Sequence, residues 1–249
     1  MSSNQALDLK LLKKFKNDLT RFMMLYQFGI DELNTKIDIL KQEFQYIHDY
    51  SPIEHVKSRI KSPESILKKV QRKNLDFSLP SIKENIKDIA GIRITCSFIS
   101  DIFEISRMLE NQSDIEVVEK KDYINYPKPN GYQSLHLIVK IPVFMSNGIE
   151  NVYVEVQIRT IGMDFWASLE HKIYYKYDNE VPAYLSEELK NAADTVAMLD
   201  KKMEVLHEEI RKLDNDDDDI ENELNLLNAS GQKLNIPMAL LESLSKDKA

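Results

Sequence analysis

One cysteine, Cys96, is all the thiol chemistry that these 249 residues contain. A lone thiol excludes an intrachain disulfide, and its place in an apolar run marks it as a small core residue. A reducing cytoplasm is therefore the expected compartment. Basic residues are not in excess either: 33 Lys and Arg stand against 41 Asp and Glu, for a formal net charge of −8. A general nucleic-acid binder carries a basic footprint, so none is expected here, although a local basic pocket for a small anion stays compatible. No apolar run reaches membrane-spanning length, and Met1 to Lys10 lacks the apolar stretch of a signal peptide. Neither a membrane nor an export route is expected. His48, His55, His171 and His207 show no ligand spacing with Cys96 or with one another, which gives zinc no support. No internal repeat is present.

What is present is a change of period along the chain. Leu9, Leu12, Phe15, Leu19, Phe22, Met23 and Tyr26 recur at helical spacing, and after Gly29 so do Ile30, Leu33, Ile37, Leu40, Phe44 and Ile47. This predicts two helices around a glycine break, a helical preface over 1–50. Ser62-Pro63-Glu64 predicts a helix start, with Ser as N-cap and Pro in the first turn, followed by a polar linker to about Ser81. Gly91 to Phe98 reads as a strand, Asp101-x-x-Glu104 as a capping box opening a helix through Leu109, and Ile115–Lys120 and Leu135–Phe144 as further strands. Val152 to Arg159 alternates most cleanly. Val152, Val154, Val156 and Ile158 face one way, and Tyr153, Glu155, Gln157 and Arg159 the other. Helices follow from Ile161 through Tyr175 and from Leu189 through Ile210. The expectation is an α+β fold, a mixed sheet over 51–180 flanked by the preface and by a C-terminal helix over 181–213. The Asp-rich stretch in 214–249 reads as a solvated tail.

Three groups of residues carry chemistry. The run Tyr126-Pro127-Lys128-Pro129-Asn130-Gly131-Tyr132-Gln133-Ser134-Leu135-His136 is a rigid turn opening into an apolar strand. It presents Lys128, Tyr132 and His136, a cation and an aromatic face suited to a bound anion. Asp88, just before one strand, and Glu155, on the polar face of another, converge as paired carboxylates if those strands are neighbours. That is the minimum protein share of a Mg²⁺ site completed by phosphates. Arg59 and Lys61, with Lys68 or Lys69 along the helix, surround the helix start at Ser62, whose free N–H groups favour an anion, and the flat guanidinium of Arg59 or Arg93 can stack on a purine.

These motifs, in this order, resemble the RelA/SpoT-type alarmone synthetase domain: Arg59-Ile60-Lys61-Ser62-Pro63-Glu64-Ser65-Ile66, Asp88-Ile89-Ala90-Gly91-Ile92-Arg93, the Tyr126–His136 loop, Glu155-Val156-Gln157-Ile158-Arg159-Thr160 and Trp166-Ala167-Ser168-Leu169-Glu170-His171-Lys172. The resemblance covers roughly residues 45–210 and is greatest to the small, single-domain, RelP-like branch. It implies a GTP pyrophosphokinase with a nucleotidyltransferase-like core, which moves the β,γ-pyrophosphate of ATP to the ribose 3′-hydroxyl of GDP or GTP and releases AMP. On the same resemblance Arg59 and Arg93 would sandwich adenine, and Lys61, Ser62 and Lys69 would contact ATP phosphates. Asp88 and Glu155 would hold Mg²⁺, and Glu155 with Gln157 would orient or deprotonate the 3′-hydroxyl. Tyr132 would stack on guanine, with Lys128, Asn130 and His136 completing the GDP/GTP site. A homo-oligomer, by resemblance a tetramer, is implied too. Glu119 stands where the family carries Arg. Larger relatives have an upstream His-Asp hydrolase domain; too little chain precedes His48-Asp49 for one, and product hydrolysis is not expected. Two other readings fit the same residues: a transferase of related fold with another acceptor, and a catalytically silent guanine-nucleotide sensor.

Overall fold

The computed structural model describes residues 3–48, 50–175 and 182–216. The chain divides into two units, Met1–Glu204 and Val205–Ala249. The second is described only through Asp216: residues 214–216 of the expected acidic tail continue the last helix, and 217–249 lie outside the described residues. The first unit holds a five-stranded sheet with helices at both ends, as expected. Its strands are β1 (Ile53–Ile60), β2 (Ala90–Cys96), β3 (Glu116–Asp122), β4 (Leu135–Met145) and β5 (Gly148–Thr160). They lie in the order β1-β2-β5-β4-β3, with β2 and β5 parallel and the other neighbours antiparallel.

The alternation in β5 sets the two faces. Val152, Val154, Val156 and Ile158 are wholly buried, together with Ile92 and Ile94 of β2 and Leu137, Val139 and Ile141 of β4. Helix α1 (Ser3–His48) and helix α4 (Ile99–Glu110) cover this apolar face. The α1 preface is one helix and not two. Phe22, Tyr26, Ile30, Leu33, Ile37 and Leu40 form an unbroken stripe at spacings of three and four, and each buried side chain contributes about 1.5–3 kcal/mol. Gly29 does not interrupt that stripe. A Cβ there would lie 2.5 Å from Val152 Cγ2, so the missing side chain is what lets the helix approach β5.

One strand was not expected, and two further expectations need correction. The stretch before Ser62 is a strand, β1, whose exposed Glu54, His55, Lys57 and Arg59 hide the alternation that would identify it. The linker after α2 (Pro63–Arg72) contains a helix, α3 (Leu79–Asn85), capped by Ser78 and anchored by buried Ile82. Asp101 does not begin α4 as its N-cap. It lies in the first turn and accepts from the Phe98 N–H at 2.9 Å, so the helix starts before it. Helices α5 (Ile161–Tyr175) and α6 (Ala183–Asp216) complete the described residues. Among the described residues no helix is long and apolar enough to cross a membrane.

Candidate active site

The second face of the sheet is polar across its whole width. Strand pairing sets Lys57, Arg93, Gln157, His136 and Lys121 in one row over all five strands, and Arg59, Gly91, Glu155, Ile138 and Glu119 in the next. Alternate residues of a strand share a face, so both rows look the same way. The parallel pairing of β2 with β5 was the missing condition for Asp88 to approach Glu155, and it holds.

Two cavities open on this face. One, of about 140 Å³, is lined by Lys57, Arg59, Gly91, Arg93, Glu155 and Gln157. The other, of about 530 Å³, is lined by Lys69, Asp88, Glu119, Lys121 and Glu155 among others. Arg59 and Arg93 therefore border one space, as a purine clamp requires. Arg93 is anchored by Asp164 of α5, Nη1 to Oδ1 at 3.0 Å, and its buried Nε has no partner. Burial, and then the neighbouring Arg159, lower the Arg93 pKa.

In the second cavity Asp88 accepts from Lys61 Nζ at 2.6 Å and Lys69 Nζ at 2.5 Å, both at Oδ2. Burial alone would raise the Asp88 carboxyl, yet the two ammonium groups outweigh it and hold the carboxyl below its ordinary range. Lys61 shifts down despite the pairing, because burial is the larger effect and Lys69 and Arg59 add repulsion. One carboxylate facing two ammonium groups leaves a surplus positive charge suited to a phosphate chain. Ser62 caps α2, its Oγ accepting the Ser65 N–H at 3.3 Å, so the free N–H groups of that helix start lie beside Lys61. Asp88 Oδ1 is buried without any hydrogen-bond partner. Among the described residues no cluster of three or more His, Cys, Asp or Glu could hold a metal by itself. An orphaned carboxylate oxygen sharing a cavity with Glu155 fits a Mg²⁺ site that phosphates must complete.

The Tyr126–His136 loop is a tight turn before β4. Gly131 N–H donates to the Lys128 carbonyl at 2.8 Å, and Gly131 takes φ +85°, which a Cβ would oppose. Asn130 works within the loop: its Oδ1 accepts the Tyr132 N–H at 3.2 Å, and its Nδ2 donates to Glu170 at 3.3 Å. Lys128 Nζ sits 4.6 Å from the Tyr132 ring centroid and 4.7 Å from that of Tyr123. Tyr132 and His136 meet edge to face, Oη to Nε2 at 2.7 Å. His136 Nδ1 lies 3.4 Å from Glu155 Oε1, and Gln157 Nε2 donates to Glu155 Oε2 at 3.0 Å. Burial pushes the Glu155 carboxyl up, but these His136 and Gln157 contacts prevail and hold it below its usual value, so it is ionised at neutral pH.

Arg59, Lys69, Asp88, Arg93, Glu155, Gln157 and His136 thus gather on one face, with Lys61 bonded to Asp88 and with Tyr132 and Lys128 beside His136. Ser62 caps α2, and Asn130 works inside the turn. Four were missed. Arg159 occupies the polar face of β5 two residues beyond Gln157, and the alternation that selected Glu155 and Gln157 selects it equally. Lys121 occupies the same row of the sheet on β3. Tyr123 and Asp164 leave no sequence signal, since only folding brings them to the loop and to Arg93.

Comparison with known proteins shows the family and the fold. Residues 58–180 match the model of the region found in RelA/SpoT proteins. The chain is 52% identical over 204 residues to GTP pyrophosphokinase YwaC of Bacillus subtilis strain 168, covering 82% of this chain and 95% of that protein. The crystal structure of small alarmone synthetase 2 from Bacillus subtilis matches with a TM-score of 0.71 and 51% identity, over 77% of this chain and 99% of that one. That of small alarmone synthetase 1 from the same organism, bound to its product pppGpp, matches with a TM-score of 0.71 and 38% identity, over 78% and 98%.

Proposed function

The chain belongs to the RelA/SpoT family, and from that premise we propose how it works as a (p)ppGpp synthetase, a GTP pyrophosphokinase. The observation that carries the reading is that Glu155 alone lines both cavities while also meeting the Tyr132–His136 pair. Donor and acceptor can therefore meet at one carboxylate.

ATP occupies the two cavities. Arg59 and Arg93 hold adenine between their guanidinium planes, and Lys61, Lys69 and the α2 start at Ser62 hold the phosphates. Asp88 and Glu155 would hold Mg²⁺, which would supply charge neutralisation to the transferred group. GDP or GTP lies on the Tyr132 loop, guanine against the ring, with Lys128 and His136 near its phosphates and Asn130 shaping the turn. The 3′-hydroxyl then faces Glu155. Its oxygen forms the new bond to the β-phosphorus of ATP, the bond from that phosphorus to the α-phosphate oxygen breaks, and AMP departs. The hydroxyl proton passes to Glu155, whose carboxylate Gln157 and His136 hold in place. Most of the rate comes from positioning and charge neutralisation, in keeping with phosphoryl-type transfer. A homo-oligomer, a tetramer on the family resemblance, would cover exposed apolar residues of α5 and α6 such as Phe165 and Met198. Cytoplasmic residence suits the single, wholly buried thiol of Cys96.

The test is a product assay with Mg²⁺, ATP and either GDP or GTP, the nucleotides being separated by anion exchange. One AMP per new, more highly charged guanosine nucleotide is expected, with both lost in Glu155→Gln. AMP without a guanosine product would assign another acceptor. Nucleotide binding without AMP would leave a sensor.

A further inference from the structure

Arg159 has no part in the nucleotide contacts described above, yet it is among the most enclosed charges of the protein, with 3% of its surface exposed. Its Nε donates to Ser134 Oγ at 3.3 Å and its Nη1 to Asp164 Oδ1 at 3.2 Å. Nη2 donates twice, to Tyr132 Oη at 2.5 Å and to Gln157 Oε1 at 2.9 Å. Those two bonds start two chains. On the first, the Gln157 oxygen is taken by Arg159, so its amide nitrogen faces Glu155 Oε2 at 3.0 Å. On the second, the Tyr132 oxygen accepts from Arg159, which leaves its own proton free to point to His136 Nε2 at 2.7 Å. A neutral His136 must then carry its proton on Nδ1, the nitrogen 3.4 Å from Glu155 Oε1. The two chains close a ring of five side chains, in which each carboxylate oxygen is met by a different branch.

We propose that Arg159 is a positioning residue, which orients both carboxylate oxygens of Glu155 through Gln157 on one side and Tyr132–His136 on the other. Only arginine suits the place. One guanidinium nitrogen carries two protons at a fixed angle and stays charged when enclosed, whereas an ammonium group cannot fill four directions from one plane. Asp164 and the Tyr132 ring, whose centroid lies 5.1 Å from the guanidinium carbon, offset its charge. Because Tyr132 belongs to the loop, its branch holds the carboxylate only when the loop is in place. This inference rests on the reading of Glu155 as the group that receives the 3′-hydroxyl.

The experiment begins with Tyr132→Phe, which keeps the ring that would stack on guanine and removes only the hydroxyl. Its kcat falls about ten- to hundredfold, the scale of a small misplacement at a reacting centre, while KM for the guanine nucleotide stays within about twofold. Gln157→Met behaves alike. In an Arg159→Lys background Tyr132→Phe costs nothing more, since the branch has already lost its source. Full additivity, or wild-type kcat in Tyr132→Phe, would overturn the proposal. Imidazole ¹⁵N shifts of His136 give a reading independent of turnover, and of whether Arg159→Lys folds. The Nδ1–H tautomer is expected in the wild type and is lost in Tyr132→Phe; an Nε2–H ring in the wild type would break the relay. If the wild type makes no alarmone, the functional reading fails while the tautomer still decides the relay.

Discussion

Gly131→Ala tests whether the guanine-side loop is held by backbone conformation or by packing. The residue takes φ +85°, and an L side chain in that region costs roughly 1–2 kcal/mol. A Cβ there would also lie 2.5 Å from the Ala193 Cβ on α6, well inside the ~3.5–4.0 Å optimum between carbons. The loop must retreat by about 1 Å, and overpacking of this kind costs about 1–3 kcal/mol. Together the two effects predict about 2–5 kcal/mol, less whatever the loop recovers by moving. That movement takes Tyr132 away from Arg159 and His136, so the guanine-nucleotide KM rises and kcat falls while KM for ATP changes little. Urea denaturation followed by circular dichroism, with initial rates at saturating ATP, reads both. Ala193→Gly separates the causes. It costs about 1 kcal/mol by itself in a helix, but it gives the new methyl room. The double variant should therefore be more stable than the sum of the singles predicts, retaining only the conformational cost. Strict additivity would refute the packing argument, and an unchanged stability of Gly131→Ala would refute both parts.

Two further substitutions probe the frame and the phosphate side. Gly29→Ala should lower the thermal midpoint: helix propensity favours alanine by about 1 kcal/mol, but the clash with Val152 costs about 1–3 kcal/mol, and a raised midpoint would mean that α1 does not approach β5 so closely. Asp88→Asn should destabilise the protein at neutral pH by about 1–3 kcal/mol, because Lys61 and Lys69 are left facing each other without their carboxylate. The folded Asp88 carboxyl titrates below its unfolded value. Its stabilisation is thus complete above about pH 4 and disappears as pH falls through the lower folded value. Denaturation across a pH series should show wild type and variant converging in acid; a constant gap would remove Asp88 from the ion cluster.

Much of this was legible because burial writes itself into a strand on one side only. In β5 the wholly buried Val152, Val154, Val156 and Ile158 alternate with Glu155, Gln157 and Arg159, so the strand and its functional face came from one pattern. Where the pattern is diluted, reading failed. β1 buries Ile53 alone and leaves four charged or ionisable side chains exposed, so no strand pattern shows there. Gly29 read as a break because propensity is local, whereas its reason, the approach of Val152, lies more than a hundred residues away. Arg159 was passed over because the paired carboxylates drew attention to Glu155, although the same alternation points to both. Asp164 was beyond reach, since a carboxylate in the first turn of a helix has an ordinary explanation in the helix dipole.

The reason that a single carboxylate can serve two cavities lies in its neighbours in the row. Glu155 pairs with Gly91 on one side and with Ile138 on the other. Gly91 offers no side chain, and a Cβ there would touch the Arg59 side chain at only ordinary van der Waals distance, so the space comes from having nothing longer. Ile138 offers no charge or hydrogen bond. The polar partners of Glu155 come from the adjacent row: Gln157 reaches it along β5, and His136 reaches it diagonally from β4. The carboxylate is thus held from one end and open on both flanks, toward Arg59 and Arg93 on one and toward Asp88 and Lys69 on the other. A polar residue at 91 or 138 would satisfy Glu155 in place and close one flank. Leaving those two neighbours mute leaves its remaining lone pairs free, as the proposed metal ion and substrate hydroxyl would require.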